Sequence, residues 1–298
     1  MITFATFHVD LSDRRARRVL PYGAAFRDQY LQMIDLMFRS ASLFHPNCRK
    51  VVLTDEATLF PQNWGDIEIH RFDIEPKTPM FSRVVSQERY VQQYDFGGPL
   101  ILLDCDMLFN RSFAGLFPNS DFDIGLTYVE RNDQPLNGGL IILADRHPEI
   151  CSQFFQRFRE ITESDFSDKH AWFCDQLALA KMIDLDSTVS VGEQSNGRRR
   201  ATVDEARIEL WPCATHNFTP ENTFSTILDA DQGSWLLHFK GAQKRLMPHY
   251  WRAHLEGQSG GGFLSPLRRS ISKAAIFMGA VYESIKWRLP KRTESPAA

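Results

Sequence analysis

The chain is poor in cysteine and has nothing to pair it with. Cys48, Cys105, Cys151, Cys174 and Cys213 are odd in number and irregularly spaced. No Cys-x-x-Cys pair and no Cys/His zinc spacing occurs, which leaves reduced, mostly structural thiols rather than a disulfide framework. Long apolar runs are lacking too, and none approaches the roughly 20 residues of a membrane-spanning helix. The first residues lack a basic stretch followed by a long apolar one and read as a strand, not a signal peptide. The expectation is a cytoplasmic protein. Positive charge is not in excess either: the net charge is −3 over 298 residues, so charge gives no reason to expect nucleic acid. No internal repeat is found. What is present, 43% hydrophobic and 24% charged residues, suits one large α/β domain or two small ones.

Strand-like apolar runs alternate with helical patterns through the first half. Residues 2–9, 50–54 and 67–74 read as strands. Residues 30–44 carry apolar side chains at a helical period (Leu31, Ile34, Met37/Phe38, Ala41), with Pro46 just beyond. A second helix over 80–94 leads through Gly97-Gly98-Pro99 into another strand. This β-α-β-β-α-β order predicts a largely parallel sheet with helices on both faces. Later, 123–129, 140–143 and 235–239 read as strands and 148–162 and 175–183 as helices. The polar stretch 187–205 reads as an exposed loop, its Arg198–Arg200 run a solvated surface.

The chemistry concentrates at Leu100-Ile-Leu-Leu-Asp104-Cys-Asp106. Four apolar residues suit a strand buried on both faces, and side chains two apart on a strand share a side. Asp104 and Asp106 would then converge where a buried strand meets solvent, and two hard oxygen ligands there suit Mg²⁺ or Mn²⁺. Alone, the pair could equally solvate a strand end. Downstream lies Asn137-Gly138-Gly139, which permits close approach to backbone but is also a common turn. Asp175-Gln176 opens a helix, Asp175 at a plausible N-cap. Then comes His238-Phe-Lys-Gly241-Ala-Gln-Lys244: an imidazole to complete a carboxylate site, a glycine for a tight turn, and a point charge suited to phosphate. Arg83, early in its helix, either faces the same cleft or solvates the helix surface.

In order and spacing these segments resemble glycosyltransferase family 8, the glycogenin and lipopolysaccharide galactosyltransferase group, over roughly residues 1–255. The resemblance implies the GT-A fold, a single Rossmann-like α/β domain over 1–258, and a nucleotide-sugar donor, mostly UDP-linked, held through Mn²⁺. It implies that Asp104, Asp106 and His238 bind the metal, and that Lys244, beside Gly241, touches the diphosphate. Arg83, Asn137 and Gly138 would lie near ribose or donor sugar. Asp175 and Gln176 would line the sugar and reacting carbon, and residues 7–10, from Phe7 to Asp10, would hold the base. It also suggests retention of anomeric configuration. The family's Pro-Trp after the lysine is replaced here by Arg245-Leu246, and its Ser or Ala between Asn and Gly by Gly138.

Beyond a glycine break at 260–262, residues 263–292 hold seven Lys/Arg against one acid, a net +6 that leaves −9 on the rest. Leu267, Ile271, Ala274/Ala275, Met278, Val281/Tyr282 and Ile285 recur at helical intervals. The segment 259–298 therefore reads as a flexible linker and a basic amphipathic helical tail. It is suited to an anionic membrane surface or to packing on protein; the former fits a glycan or lipid-linked acceptor and a peripheral place at the inner face of the cell membrane. Two rival functions share the acid pair: a haloacid-dehalogenase-type phosphotransferase and a catalytically silent nucleotide-sugar binder.

Overall fold

Alternate residues of the central strands enter two different cores, which is why their apolar runs are unbroken. The computed structural model describes residues 1–10, 26–118, 120–130, 135–190, 196–219 and 233–258, with Ile271, Ala274, Phe277 and Met278 beyond. In β1 (Thr3–Phe7), Phe4 faces one core and Ala5 the other; in β4 (Leu100–Leu103), Ile101 and Leu103 face the first, Leu100 and Leu102 the second. Helix α1 (Phe26–Phe44) closes the first face with Met33, Ile34, Met37 and Phe38, an i, i+4 stripe. Helices α2 (Pro79–Gln93), α3 (Pro148–Asp165) and α4 (Cys174–Met182) close the second.

Among the described residues the main sheet holds nine strands: β1, β2 (Arg49–Asp55), β3 (Ile67–Phe72), β4, β6 (Ile124–Tyr128), β7 (Leu136–Leu143), β8 (Val189–Ser190), β9 (Arg199–Val203) and β10 (Ala206–Pro212). Their order is β3-β2-β1-β4-β7-β6-β10-β9-β8. The first four run parallel, β7 runs against both neighbours, and β6 and β10 are parallel again. Strand β1 lies between β2 and β4, so strand order reverses there, and the carboxyl ends of such strands are where open α/β sheets bind ligands. A separate two-stranded sheet pairs β5 (Met107–Phe109) with β11 (Leu236–His238), His238 opposite Met107.

Two expectations need correction. The stretch 187–205 is no simple loop: its described part contributes β8 and β9, and β9 turns back through Asp204 (φ 51°) into β10, a strand the sequence reading lacked. The polar residues that suggested a loop lie on an edge ribbon, where Arg198 and Arg200 pair with buried Glu209 on β10. Asn137-Gly138-Gly139 is not a turn ahead of a strand but lies inside β7, as described below. The five cysteines are free thiols. The arginine-rich residues 14–18, which the sequence pattern reads as a polar loop, and most of the basic tail lie outside the described residues.

At the start of β6, the buried Asp123 carboxylate accepts hydrogen bonds from Arg207 Nε (3.0 Å), Nη2 (2.9 Å) and backbone N–H (2.9 Å), and lies 2.7 Å from His147 Nδ1. Burial alone would raise its pKa, but these donors outweigh it and hold it at about 2. A depressed carboxylate stabilises the fold above its unfolded pKa of about 3.9, and the contribution disappears as pH falls through the folded value. We expect stability to drop on the acid side of about pH 4 by roughly 2 kcal/mol from this group. Asp123→Asn should lose that amount at neutral pH and flatten the acid limb, as read by urea unfolding at pH 7 and pH 3.

Candidate active site

β4 stops at Leu103, and Asp104-Cys105-Asp106 is the turn that carries the chain into β5. The two carboxylates do converge, but through this turn rather than through strand alternation. Cys105 packs back into the core under α1, where burial pushes its thiol pKa up. The Asp104 amide donates to the Gly139 carbonyl at 2.9 Å, and the Phe239 amide donates to the Asp106 carbonyl at 2.8 Å. The second bond continues the β5–β11 ladder and brings His238 into the turn. Its Nε2 lies 3.4 Å from Asp104 Oδ2 and 3.2 Å from Asp106 Oδ1. One ligand atom from each of the three lies within 4.8 Å of the others.

Two cations balance the acids. Arg83 on α2, buried, reaches Asp104 with one Nη and Asp175 with the other. Burial works against its charge, but the two carboxylates outweigh burial and raise its pKa. Lys244 Nζ sits 2.9 Å from Asp106 Oδ2 and donates to the Tyr30 hydroxyl at 3.1 Å. Its ammonium also lies 4.8 Å over the Tyr30 ring, a cation–π distance. Desolvation would lower the Lys244 pKa and raise that of Asp106, yet their mutual attraction prevails and drives both the opposite way; His238 adds to the effect on Asp106.

Asp175 is fully buried in the first turn of α4. It is not the N-cap: the residue ahead of the helix is Phe173, in the left-handed region at φ 68°, and Asp175 is committed to Arg83 instead. A bulky residue held there costs on the order of 1–3 kcal/mol, which a buried ion pair downstream can impose. Asp175 Oδ1 has no hydrogen-bond partner.

Pairing of β6 with β7 jumps from Leu126↔Ile141 to Thr127↔Asn137. Gly138, Gly139 and Leu140 are therefore extra on β7, and the bulge pushes its glycines against the acids. A Cβ on Gly139 would lie 2.5 Å from Asp104 Oδ2 and 2.8 Å from His238 Cε1; one on Gly138 would lie 2.8 Å from Asp175 Oδ2. Asn137, buried, accepts the Gly139 amide at 3.0 Å and shapes the bulge.

No family model and no curated protein matches the sequence. Among solved structures, the glycosyltransferase GlyE of Streptococcus pneumoniae TIGR4 matches at TM-score 0.51 and 13% identity, over 94% of this chain and 63% of that one. The chain thus spans less than two thirds of GlyE's length. A galactosyltransferase, LgtC, solved with donor and acceptor sugar analogs, matches at TM-score 0.46 and 12% identity over 97% and 99% of the two chains. A glycosyltransferase involved in glycosylation of the major capsid of PBCV-1 gives 0.46 and 10%, over 84% and 98%. The fold is GT-A.

The triad suits a divalent ion on chemical grounds. Two carboxylates and an imidazole are a hard, mixed O/N set acceptable to Mn²⁺ or Mg²⁺, and Gly139 leaves clear the space a side chain would fill. Of the other anticipated residues, Arg83, Asn137, Gly138, Asp175 and Lys244 all gather around the triad. Gln176, next to Asp175, is half-buried, and Gly241 turns the chain at φ 55° after β11. Phe7 ends β1 at the same carboxyl end of the sheet, and Asp10 follows in the chain beyond it, its amide donating to Thr58 Oγ1 at 2.8 Å. Tyr30, which steadies Lys244, was missed because it lies on an α1 face that reads as core; Gly139 appeared in the motif without a role of its own.

Gly139→Ala would force the Asp104 and His238 side chains apart. Crowding of this kind costs about 1–3 kcal/mol. We expect that loss in chemical unfolding, together with disappearance of any Mn²⁺-dependent rise in Tm, read by differential scanning fluorimetry.

Proposed function

We propose that this chain is a metal-dependent glycosyltransferase of the family 8 type, moving a sugar from a nucleotide-sugar donor, UDP-linked, to a glycan or lipid-linked glycan, with retention. The carrying observation is the Asp104–Asp106–His238 cluster at the end of β4, with Lys244 against it and Arg83–Asp175 beside it. A divalent ion held there would supply Lewis-acid neutralisation of a departing diphosphate.

The remaining roles belong to the protein. Lys244, poised on Tyr30, offers a fixed ammonium to phosphate oxygens. Arg83 orients both Asp104 and Asp175. The buried Oδ1 of Asp175, without a hydrogen-bond partner, is the acceptor we assign to a sugar hydroxyl, since an unpaired buried carboxylate oxygen is costly until filled. Gln176 stands beside it to face the reacting carbon. Phe7 and Asp10 border the place for the base. Trp172 and Phe173, exposed just ahead of α4, offer ring faces to an acceptor sugar.

The decisive measurement is a thermal-shift and donor-hydrolysis panel of nucleotide sugars with Mn²⁺. UDP plus Mn²⁺ should raise Tm and a UDP-sugar should be slowly hydrolysed, both lost in Asp106→Ala. Stabilisation unchanged in Asp106→Ala sinks the site, and phosphatase activity without nucleotide favours the phosphotransferase reading.

We extend the proposal to a membrane-surface role for the tail. Ile271, Ala274 and Met278, which fall on its apolar stripe, are exposed, and the surrounding sequence is strongly basic. No helix among the described residues is long and apolar enough to cross a membrane. Vesicles rich in anionic lipid should bind the full chain in low salt and release it in high salt. Deleting 263–298 should abolish binding, and indifference of the full chain to such vesicles would refute it.

A further inference from the structure

We infer that Asn217 is a positioning residue for the metal ligand His238, an assignment that rests on the metal reading above. Asn217 follows a short helical turn (Cys213–His216) after β10 and is completely buried. Its Oδ1 lies 3.0 Å from His238 Nδ1, and its Nδ2 donates to Thr127 Oγ1 at 3.1 Å. An amide oxygen only accepts, so His238 Nδ1 carries the proton. That leaves Nε2, the nitrogen facing Asp104 and Asp106, with its lone pair. A neutral imidazole ligates a metal through that lone pair, and the group bonded to the other nitrogen selects the tautomer.

The backbone makes the arrangement rigid. Phe218 N donates to Leu236 O at 3.0 Å and His238 N to Phe218 O at 2.8 Å, so residues 217–218 run beside β11. Thr127 sits at the β6 position where the β7 bulge resumes pairing with Asn137. The same irregularity that opens space at Gly139 thus also presents the hydroxyl that orients the Asn217 amide. Thr127, Asn217 and His238 are all nearly or wholly buried, so water does not compete for these bonds.

The test is titration of the full-length protein with Mn²⁺ alone, following free Mn²⁺ by electron paramagnetic resonance, with the metal-free Tm measured in parallel. Asn217→Ala should weaken Mn²⁺ binding about 10- to 100-fold. Asn217→Asp, which can only accept from Nδ1, should bind at least as tightly as wild type. A merely structural asparagine would lower the metal-free Tm in both variants without this split. Should Asn217→Ala fail to fold, Thr127→Val removes the orienting hydroxyl at nearly constant volume and should weaken Mn²⁺ binding in the same direction. Wild-type affinity in Asn217→Ala, or in Thr127→Val if it must stand in, overturns the assignment, as does Asn217→Asp binding as poorly as Ala. Asp106→Ala separates the two levels. Loss of Mn²⁺ there with none in Asn217→Ala sinks only this inference, whereas retention there sinks the metal reading itself.

Discussion

The Arg83 guanidinium is the hub on which the rest of this architecture depends. It is buried, it cannot shed its charge, and it spans Asp104 at the end of β4 and Asp175 at the start of α4. One side chain from α2 thereby ties together three segments far apart in sequence. Removing one partner of such a buried pair leaves a charge without compensation, at a cost of about 3–5 kcal/mol. The strained Phe173, the in-turned Asp175 and the angle of Asp104 are all consistent with that single requirement. Arg83 also leaves no room for Asp175 to serve merely as a helix cap.

The fold was legible in the sequence wherever burial acts on both faces. Strands β1, β2 and β4, and helices α1 to α3, write their environment directly into apolar runs and helical periods. Edge structure did not. Arg198 and Arg200 at β9 meet Glu209, itself inside the sheet, and Arg207 on β10 meets buried Asp123, so their polarity imitates a loop. Helix α4 was found, but its start was misread because Asp175 has the chemistry of a cap and is used for something else.

For the site, residue type was more legible than geometry. Asp104, Asp106, His238 and Lys244 were identifiable as a set, yet the way they meet was not. Strand alternation gives the right convergence for the wrong reason, because the backbone turns between the two acids. Tyr30 and Asn217 left no signal at all. A tyrosine on an amphipathic helix and an asparagine after a short turn are ordinary residues until tertiary structure sets them beside a lysine and a histidine. Arg83 was undecidable between cleft and surface, since early helical positions serve both.

The β7 bulge has one more consequence. Because Gly138 and Gly139 are inserted within a strand that pairs on both sides in the middle of a nine-stranded sheet, the floor of the site is not a loop. The amide of Asp104 is hydrogen-bonded to the Gly139 carbonyl, one step beyond the last paired residues of β4 and β7, Leu103 and Leu140. Segments with few buried contacts fluctuate independently of the whole, whereas central ladders open only with it. The position of the first acid is therefore set at the end of the β4–β7 ladder, and loosening that end loosens the acid pair with it.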